Sequence, residues 1–271
     1  MNARAALHCL AAVAVALGAA ACATRADPAP LPVRLVTWNI HHGEGLDGKV
    51  DLDHIAAELL AQKPDVVCLQ EVDVGVTRSR QLDIPQELAQ RLGMHAAFGK
   101  NIDYQGGDYG NAILSRWPIA WQHNLHYQML RAGEQRGLLT VGLDTGRGTF
   151  AFGCTHLDFR PDPSERLQNA GEILAVVRDR QLCAVAGDFN DHPDSALHER
   201  LSAELRDCWQ ELPQRDAGAT FPAGAPDRRI DWVLLAPARA TATAGLVPAT
   251  TASDHRPVAV TLEVCVAPPA R

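Results

Sequence analysis

The sequence predicts a layered α/β domain with mixed sheets, and two observations lead to this class. Short apolar runs rich in β-branched residues alternate with segments of helical periodicity, which is the pattern of strands packed against helices. The composition is that of a globular protein, because 46% of the 271 residues are hydrophobic and 21% are charged. This length and composition fit one large domain and argue against a disordered chain.

Eight apolar runs predict strands. They span residues 34–40, 65–72, 112–115, 137–143, 149–156, 182–187, 229–235 and 257–264. The segment at Pro118 and the two glycine-bounded runs after it indicate strands joined by short turns, so the sheet topology should be mixed. No repeat or linker divides the sequence after Val33, which predicts one domain over residues 33–266 and a tail over 267–271.

Apolar residues at helical spacing predict four helices between these strands. The inward-facing positions are, helix by helix, Leu52, Ile55, Ala56, Leu59 and Leu60; Ile84, Leu88 and Leu92; Leu167, Ala170, Leu174 and Val177; and Leu197, Leu201 and Leu205. Pro64 should end the first helix and Gly93 the second, while the third should begin near Ser164.

The N-terminus has the layout of an export signal. Arg4 precedes an uninterrupted run of small and apolar residues from Cys9 to Ala21, which is shorter than the ~20 apolar residues that span a bilayer. Cleavage after residue 21 fits either an ordinary signal-peptidase site or a lipoprotein signal that lipidates Cys22. We therefore expect a signal peptide over residues 1–21, an exported linker over 22–32, and a periplasmic protein or one anchored to the outer membrane through Cys22.

The charge balance argues against nucleic acid as the partner. The net charge of the full sequence is −7, and removing residues 1–21 takes away Arg4 and no acid, which leaves −8. An acidic protein repels a polyanion at long range, whereas nucleic-acid-binding domains usually carry a basic field. We expect no specific nucleic-acid binding, and a monomer.

The seven cysteines do not indicate a structural metal site, because no Cys-x-x-Cys spacing occurs. Cys68, Cys154 and Cys183 lie within apolar runs, where a free thiol behaves as a small buried hydrophobe. Cys208 and Cys265 are the only pair that merits a test for a disulfide.

Polar residues at the ends of the apolar runs indicate chemistry. The groups that can bind a metal ion or a phosphate are Asn39, Glu71, His156, Asp188, Asn190, Asp231, Asp254 and His255. Strand ends on one side of a sheet lie close together, so these groups can share one cleft. Carboxylate and amide oxygens suit Mg²⁺, and an imidazole paired with a carboxylate suits proton transfer.

Several of these residues also have an ordinary structural explanation. Glu71 fits a solvated strand end, and Asp188 with Asn190 fits an Asx turn. His156 fits a hydrogen-bonded core histidine. Arg136 fits either a salt bridge with the nearby Glu134 or a guanidinium fork for phosphate. Trp38 is expected to pack. No ligand role is assigned to His41, His42, His123 or His126.

Seven motifs, in this order, resemble the endonuclease/exonuclease/phosphatase superfamily. They lie at residues 37–40 (TWNI), 69–72 (LQEV), 110–116 (GNAILSR), 155–158 (THLD), 187–191 (GDFND), 229–232 (RIDW) and 253–258 (SDHRPV). The resemblance covers about residues 33–262. It implies a four-layer α/β sandwich, with two packed mixed β-sheets flanked by helices, and hydrolysis of phosphate esters with Mg²⁺, or alternatively Mn²⁺, as the cofactor.

The resemblance also implies roles for the residues at matching positions. The implied metal ligands are Glu71, which looks like the principal carboxylate, with Asn39 and Asp254. The implied catalytic residues are Asp188 on the attacking water, Asn190 on the transition state, His156, and His255 with its partner Asp231. The phosphate-binding candidates are Arg136 and Asn111.

The motif at residues 155–158 bears on the substrate. Abasic-site endonucleases of the superfamily carry a Tyr and an Asn in this segment, whereas the histidine form is similar to sphingomyelinases, inositol-phosphate phosphatases and pancreatic-type deoxyribonucleases. Residues 37–43 and 47–52 resemble bacterial proteins related to the C-terminal domain of glycosylphosphatidylinositol-remodelling factors. We expect a phosphodiesterase or phosphatase for a lipid headgroup or small phosphoester. The rival hypotheses are a secreted nonspecific nuclease and a catalytically silent, envelope-anchored binding module.

Overall fold

The computed structural model describes residues 29–213 and 216–267. The predicted signal peptide, Cys22 and residues 23–28 of the predicted linker lie outside these ranges, as do residues 268–271 of the predicted tail. Within the described ranges, no helix has the length and apolar character needed to cross a membrane.

Strands account for most of the regular structure. In chain order they are β1 (Leu31–Asn39), β2 (Val66–Val74), β3 (His95–Tyr104), β4 (Gly107–Ser115), β5 (Ile119–His126), β6 (Gly137–Asp144), β7 (Thr149–His156), β8 (Ala184–Asp188), β9 (Arg206–Asp207), β10 (Asp231–Leu235), β11 (Ala240–Leu246) and β12 (Val258–Val264). They form two six-stranded sheets, ordered β11-β12-β1-β2-β4-β3 and β5-β6-β7-β8-β10-β9.

Both sheets are mixed, as predicted. In the first sheet β1 runs parallel to β2, and in the second β7 runs parallel to β8. The other neighbouring pairs are antiparallel. The two parallel pairs lie at the centres of their sheets, so the last residues of β1, β7 and β8 all belong to central strands.

Helices cover the outer face of each sheet. They are α1 (Leu52–Gln62), α2 (Ile84–Leu92), α3 (Ser164–Arg180), α4 (Ala196–Ser202) and the short α5 (Cys208–Glu211). The Asp51 side chain accepts hydrogen bonds from the first turn of α1, and left-handed Lys63 and Gly93 end α1 and α2.

Three hydrophobic clusters separate the four layers. One lies between the sheets, with Leu35 and Phe152 on facing strands. A second packs α1 and α2 on the first sheet, and a third packs α3 and α4 on the second. A strand between two apolar layers must point successive side chains to opposite faces. In β1, Leu35 enters the first cluster and Val36 the second. The predicted four-layer α/β sandwich is therefore confirmed.

Details of the sequence interpretation need correction. Strands β3, β9 and β11 were not predicted, and all three lie at sheet edges. Leu60 was expected to face inward but is half exposed on α1. Cys208 and Cys265 are free thiols, one buried and one exposed, so they form no disulfide. The expectation that Cys68, Cys154 and Cys183 are buried is confirmed.

Candidate active site

The ends of the central strands of both sheets meet at one site. His156 and Asp188 are the last residues of β7 and β8, and Asp231 is the first residue of β10. These three are direct neighbours across the sheet, since Asp188 pairs in register with both His156 and Asp231. Asn39 ends β1 in the other sheet, and its Nδ2 donates to Asp188 Oδ2 at 3.1 Å. The predicted convergence of polar strand ends is thus present.

An irregularity in β2 directs Glu71 toward this site. The pairing of β2 with β4 shifts register between Leu69 and Val72, which makes a β-bulge. Glu71 lies inside the bulge with φ +56°, a left-handed conformation that few non-glycine residues adopt. Asn39 Nδ2 donates to Glu71 Oε1 at 3.1 Å. The Asn39 amide therefore connects the carboxylates of both sheets.

Most of the predicted site residues line one cavity of about 350 Å³. Those that line it are Glu71, Arg136, His156, Asp188, Asn190, Asp254 and His255. Asn39 and Asp231 are each 1% exposed and lie behind the cavity wall, where they contact Asp188 and His255. They position cavity-lining groups rather than face the cavity themselves.

His255 is a charged histidine held by carboxylates. Its Nδ1 lies 2.9 Å from Asp231 Oδ2, and its Nε2 lies 3.8 Å from Asp188 Oδ2. Burial opposes the charged form, but the negative charges of Asp231 and Asp188 outweigh burial and raise the pKa of His255 to about 10. The indole of Trp38, which is fully buried as expected, donates to the His255 carbonyl oxygen at 2.9 Å.

His156 is a neutral histidine held by an arginine. Its Nδ1 lies 2.9 Å from Arg136 Nη1, and because a guanidinium can only donate, Nδ1 accepts. That bond favours the neutral tautomer with its proton on Nε2, which lies 3.5 Å from Asp188 Oδ2, whereas the Asn190 amide nitrogen 3.0 Å from Nε2 favours an unprotonated Nε2. Burial, Arg136 and His255 lower the pKa of His156 well below its usual value. The two histidines are thus driven to opposite protonation states, a pattern found at acid–base sites.

Asp188 and Asn190 combine a structural and a cavity-facing role. Asp188 Oδ1 accepts from the Asn190 N–H at 2.9 Å, which is the Asx turn that the sequence allowed. The turn leaves Asn190 in a left-handed conformation, with Nδ2 3.0 Å from the Leu157 carbonyl and 3.0 Å from His156 Nε2. Burial raises the pKa of Asp188 to about 7, against the lowering influence of His255. Asp188 is therefore suited to accept a proton near neutrality.

Two groups of described residues could hold a metal ion. Asp188, Asp231 and His255 have potential ligand atoms within 4.8 Å of one another, and one oxygen of the buried Asp231 has no hydrogen-bond partner. His255 could bind an ion here only after losing its proton, because a charged imidazole has no free lone pair. The second group is His41, His42 and Glu71, again within 4.8 Å. Sequence reasoning had assigned no ligand role to the two histidines of this group.

The oxygen donors predicted for Mg²⁺ are partly in place. Glu71 and Asp254 line the same cavity. The Asn39 amide presents its nitrogen to Glu71, while its oxygen accepts from the His41 N–H at 3.1 Å. A ligand role for the Asn39 oxygen requires this amide to turn over, which would break the bond to His41. Glu71 and Asp254 offer carboxylate oxygens, the ligand type that a hard divalent cation prefers, without such a change.

The two phosphate-binding candidates have different surroundings. Arg136 Nη1 bonds Glu134 at 2.9 Å, so the salt bridge is present, yet its buried Nε has no partner and the residue lines the cavity. The guanidinium thus keeps one unpaired donor, on an atom that is itself buried, so a phosphate would reach it only after the side chain moves. Asn111 does not line the cavity, because its Nδ2 donates to the Gly137 carbonyl at 3.2 Å between β4 and β6. This placement argues against a phosphate contact by Asn111.

Cavity residues that sequence reasoning missed come from loops, from the edge strand β3 and from the neighbouring strand β4. They are Arg78, Ile102, Tyr104, Tyr109, Phe159 and Phe221. Arg78 makes two 2.9 Å bonds to Asp73 and lies over the rings of Tyr104 and Tyr109, at 4.6 and 5.3 Å from their centroids. The sequence signal for such residues is weak, because none of them ends a predicted apolar run.

Comparisons with known proteins agree with this architecture. The family model described as "Endonuclease/Exonuclease/phosphatase family" matches residues 36–255. The uncharacterized protein YbhP of Escherichia coli strain K12 is 30% identical over 247 residues, which are 85% of this chain and 96% of that protein. Nocturnin of Rattus norvegicus is 26% identical over 210 residues, which are 64% of this chain and 46% of nocturnin.

Solved structures show the same fold. An endonuclease/exonuclease/phosphatase from Beutenbergia cavernae superposes with a TM-score of 0.72 at 29% identity, covering 88% of this chain and 73% of that one. A mannosyl-6-phosphatase of Bacteroides thetaiotaomicron superposes with a TM-score of 0.68 at 18% identity, covering 85% of this chain and 99% of that one. The second likeness concerns the fold alone. On these findings, the chain belongs to the endonuclease/exonuclease/phosphatase family of hydrolases.

Proposed function

We propose that the protein is an exported, Mg²⁺-dependent phosphoester hydrolase that acts on a lipid headgroup or a small phosphoester. The observation that supports this most is one cavity that brings together carboxylates for a cation and two buried histidines, one held by a carboxylate and the other by an arginine. A pure binding module has no need for such a combination, which argues against the catalytically silent alternative.

Each cavity group has a task in the proposed reaction. Glu71 and Asp254 would hold Mg²⁺, which when bound offsets negative charge on the phosphoryl oxygens. Asp188 orients the attacking water and accepts its proton, since burial has raised its pKa. The charged His255 donates a hydrogen bond toward a phosphoryl oxygen, and Asp231 behind it keeps the ring charged and oriented.

The opposite side of the cavity would bind the phosphate. Arg136 holds His156 through Nδ1 and keeps an unpaired Nε for a phosphoryl oxygen, while His156 Nε2 faces the Asn190 amide nitrogen at 3.0 Å. Asn190 is fixed by the Asp188 turn and by the Leu157 carbonyl, so its amide is preorganised beside His156. The Asn190 amide is in place before substrate arrives, which lowers the reorganisation cost of the transition state.

The cavity mouth supports a lipid headgroup or a small substrate over nucleic acid. Phe159 is 67% exposed and lines the cavity, and Leu130 on the neighbouring loop is 54% exposed. The two loops are joined because Arg160 Nη1 donates to the Ala132 carbonyl at 3.2 Å. Exposed apolar side chains beside a polar cavity suit contact with a lipid surface. The net charge of −7 adds long-range repulsion of a polyanion.

A substrate panel tests the proposal. Rates would be measured on phospholipid vesicles, sphingomyelin, phosphoinositides, soluble phosphomonoesters and plasmid DNA, with and without Mg²⁺ or Mn²⁺. The proposal predicts metal-dependent hydrolysis with vesicles or small esters ahead of DNA. Plasmid digestion that outpaces every other substrate would instead identify a nuclease.

A matched pair of variants tests the lipid contact. Phe159→Ser should lower the ratio of the vesicle rate to the soluble-ester rate. Leu60→Ser removes a similarly exposed apolar side chain on the outer face of α1 and should leave that ratio unchanged. An equal ratio in both variants would count against a lipid surface as the site of action.

Export is proposed on the pattern of residues 1–21 alone. Mass spectrometry of the mature protein should find either an unmodified N-terminus after residue 21 or a lipidated Cys22. Intact residues 1–21 on the active protein would contradict export.

A further inference from the structure

The turn that follows β1 places two histidines beside Glu71. His41 and His42 form a single 3₁₀ turn, both with left-handed φ values, of +44° and +46°. Their rings lie 4.5 Å apart, edge to face. One ligand atom from each of His41, His42 and Glu71 lies within 4.8 Å of the other two. The turn is tied to the active site, because the His41 N–H donates to the Asn39 side chain.

His42 has a buried nitrogen without a partner. The residue is 5% exposed, its Nε2 lies 3.5 Å from Glu44 Oε2, and its Nδ1 is buried with no hydrogen-bond partner among the described residues. An unsatisfied buried nitrogen is costly. A metal-binding histidine commonly shows this arrangement, in which one ring nitrogen faces a carboxylate and the other is left for the ion.

We propose that His41, His42 and Glu71 bind a transition-metal ion of the Zn²⁺ class. Two imidazoles and one carboxylate are typical ligands for such an ion, whereas Mg²⁺ prefers oxygen ligands alone. Metal–ligand bonds of about 2.0–2.2 Å in a tetrahedral arrangement place ligand atoms about 3.4 Å apart. Small side-chain movements would bring the three groups from their present spacing to that distance, with a water as the fourth ligand.

The proposed ion would share a ligand with the active site. The proposed function assigns Glu71 to Mg²⁺ as well. The idea that the two ions share Glu71 therefore rests on the proposed function. Two cations sharing one carboxylate is also a feature of two-metal hydrolases. The histidine site itself is defined by His41 and His42, which do not line the cavity.

Cobalt binding tests the site without relying on activity. The full chain would be stripped of metal and titrated with Co²⁺, which reports nitrogen ligation at low coordination number through its visible absorption. Bound Co²⁺ would be counted by equilibrium dialysis. The wild type should bind one Co²⁺ with this absorption, in addition to any at the oxygen ligands.

Two substitutions should abolish that signal. Asparagine is chosen because it tolerates the left-handed backbone of the turn. His42→Asn and His41→Asn should each remove the visible band, lower the bound Co²⁺ by one per chain, and weaken binding at this site by more than about 100-fold. His123→Asn, an exposed histidine on β5, should change none of these. If His42→Asn fails to fold by thermal melting, the more exposed His41→Asn decides.

The outcomes separate this inference from the proposed function. Asp254→Asn should keep the Co²⁺ band but lose Mg²⁺-dependent hydrolysis. A wild type without the band, or histidine variants that retain both the band and the stoichiometry, would overturn the metal site. A wild type that shows the band yet hydrolyses no phosphoester would leave this site standing and refute the proposed function.

Discussion

Replacing Asp231 by asparagine tests how the site keeps His255 charged. The Asp231 carboxylate is 1% exposed and lies 2.9 Å from His255 Nδ1. Asparagine has the same shape and can still accept from Nδ1 through its amide oxygen, so the ring should keep its position. Asp231→Asn therefore removes one negative charge and little else.

In the Asp231→Asn variant, the pKa of His255 should be lower than in the wild type. Its pKa is about 10, compared with an ordinary value of 6.5, and Asp231 and Asp188 share the rise. If Asp231 supplies about half of the rise, the variant loses about 2 pKa units of stabilisation of the imidazolium. At pH 9 the charged fraction would then fall from about nine-tenths to about one-tenth.

The assay is the pH dependence of the hydrolysis of bis-p-nitrophenyl phosphate. The ratio of wild-type to Asp231→Asn kcat/KM should rise about tenfold from pH 7 to pH 9, because only the variant loses its imidazolium in that range. Asp227→Asn removes the same charge from an exposed position and should give a flat ratio. A flat ratio for Asp231→Asn as well would refute the claim that His255 acts as a charged donor.

Three further substitutions probe the phosphate side, the backbone and the fold. Arg136→Lys cannot both bond His156 and present a fork to phosphate, so kcat/KM should fall about tenfold to a hundredfold in steady-state assays. Gly187→Ala would press a Cβ into a backbone oxygen of β7, and both the melting temperature and the activity should fall. Asp207 is buried, but hydrogen bonds from His198 and Arg229 outweigh the effect of burial and lower its pKa below 3.8. The Asp207 carboxylate therefore stabilises the fold fully above pH 3.8, and this stabilisation is lost as the pH falls through the lowered pKa. Asp207→Asn should cost about 3 kcal/mol in urea unfolding at pH 7, with the difference shrinking below about pH 4.

Much of the site could be predicted because it is built on strand ends. A buried apolar run that ends in Asp188 or His156 is recognisable in a sequence, and central strands bring such ends together. The same reasoning located Asn39 and Asp231. It could not tell that these two lie behind the cavity wall, because that depends on side-chain packing between the sheets.

The residues that were missed depend on local geometry or on tertiary contacts. Glu71 was found, but the bulge that directs it requires the register of β4, which a single sequence does not show. Phe159 lies on a loop without periodicity, and edge strands such as β3 have too little burial to produce a strong pattern. His41 and His42 were set aside because a histidine pair gives no sign that its turn will face Glu71.

The dependence of hydrolysis on Mg²⁺ tests the central claim most directly. Metal-stripped wild type and Glu71→Gln, which keeps the size of the side chain and removes its charge, would be compared on bis-p-nitrophenyl phosphate over a range of Mg²⁺ concentrations. The wild type should be inactive with EDTA and recover on addition of Mg²⁺, whereas Glu71→Gln should need at least tenfold more Mg²⁺ or stay inactive. Full activity in EDTA, or a Glu71→Gln curve that overlays the wild type, would contradict a metal-dependent site at this cavity.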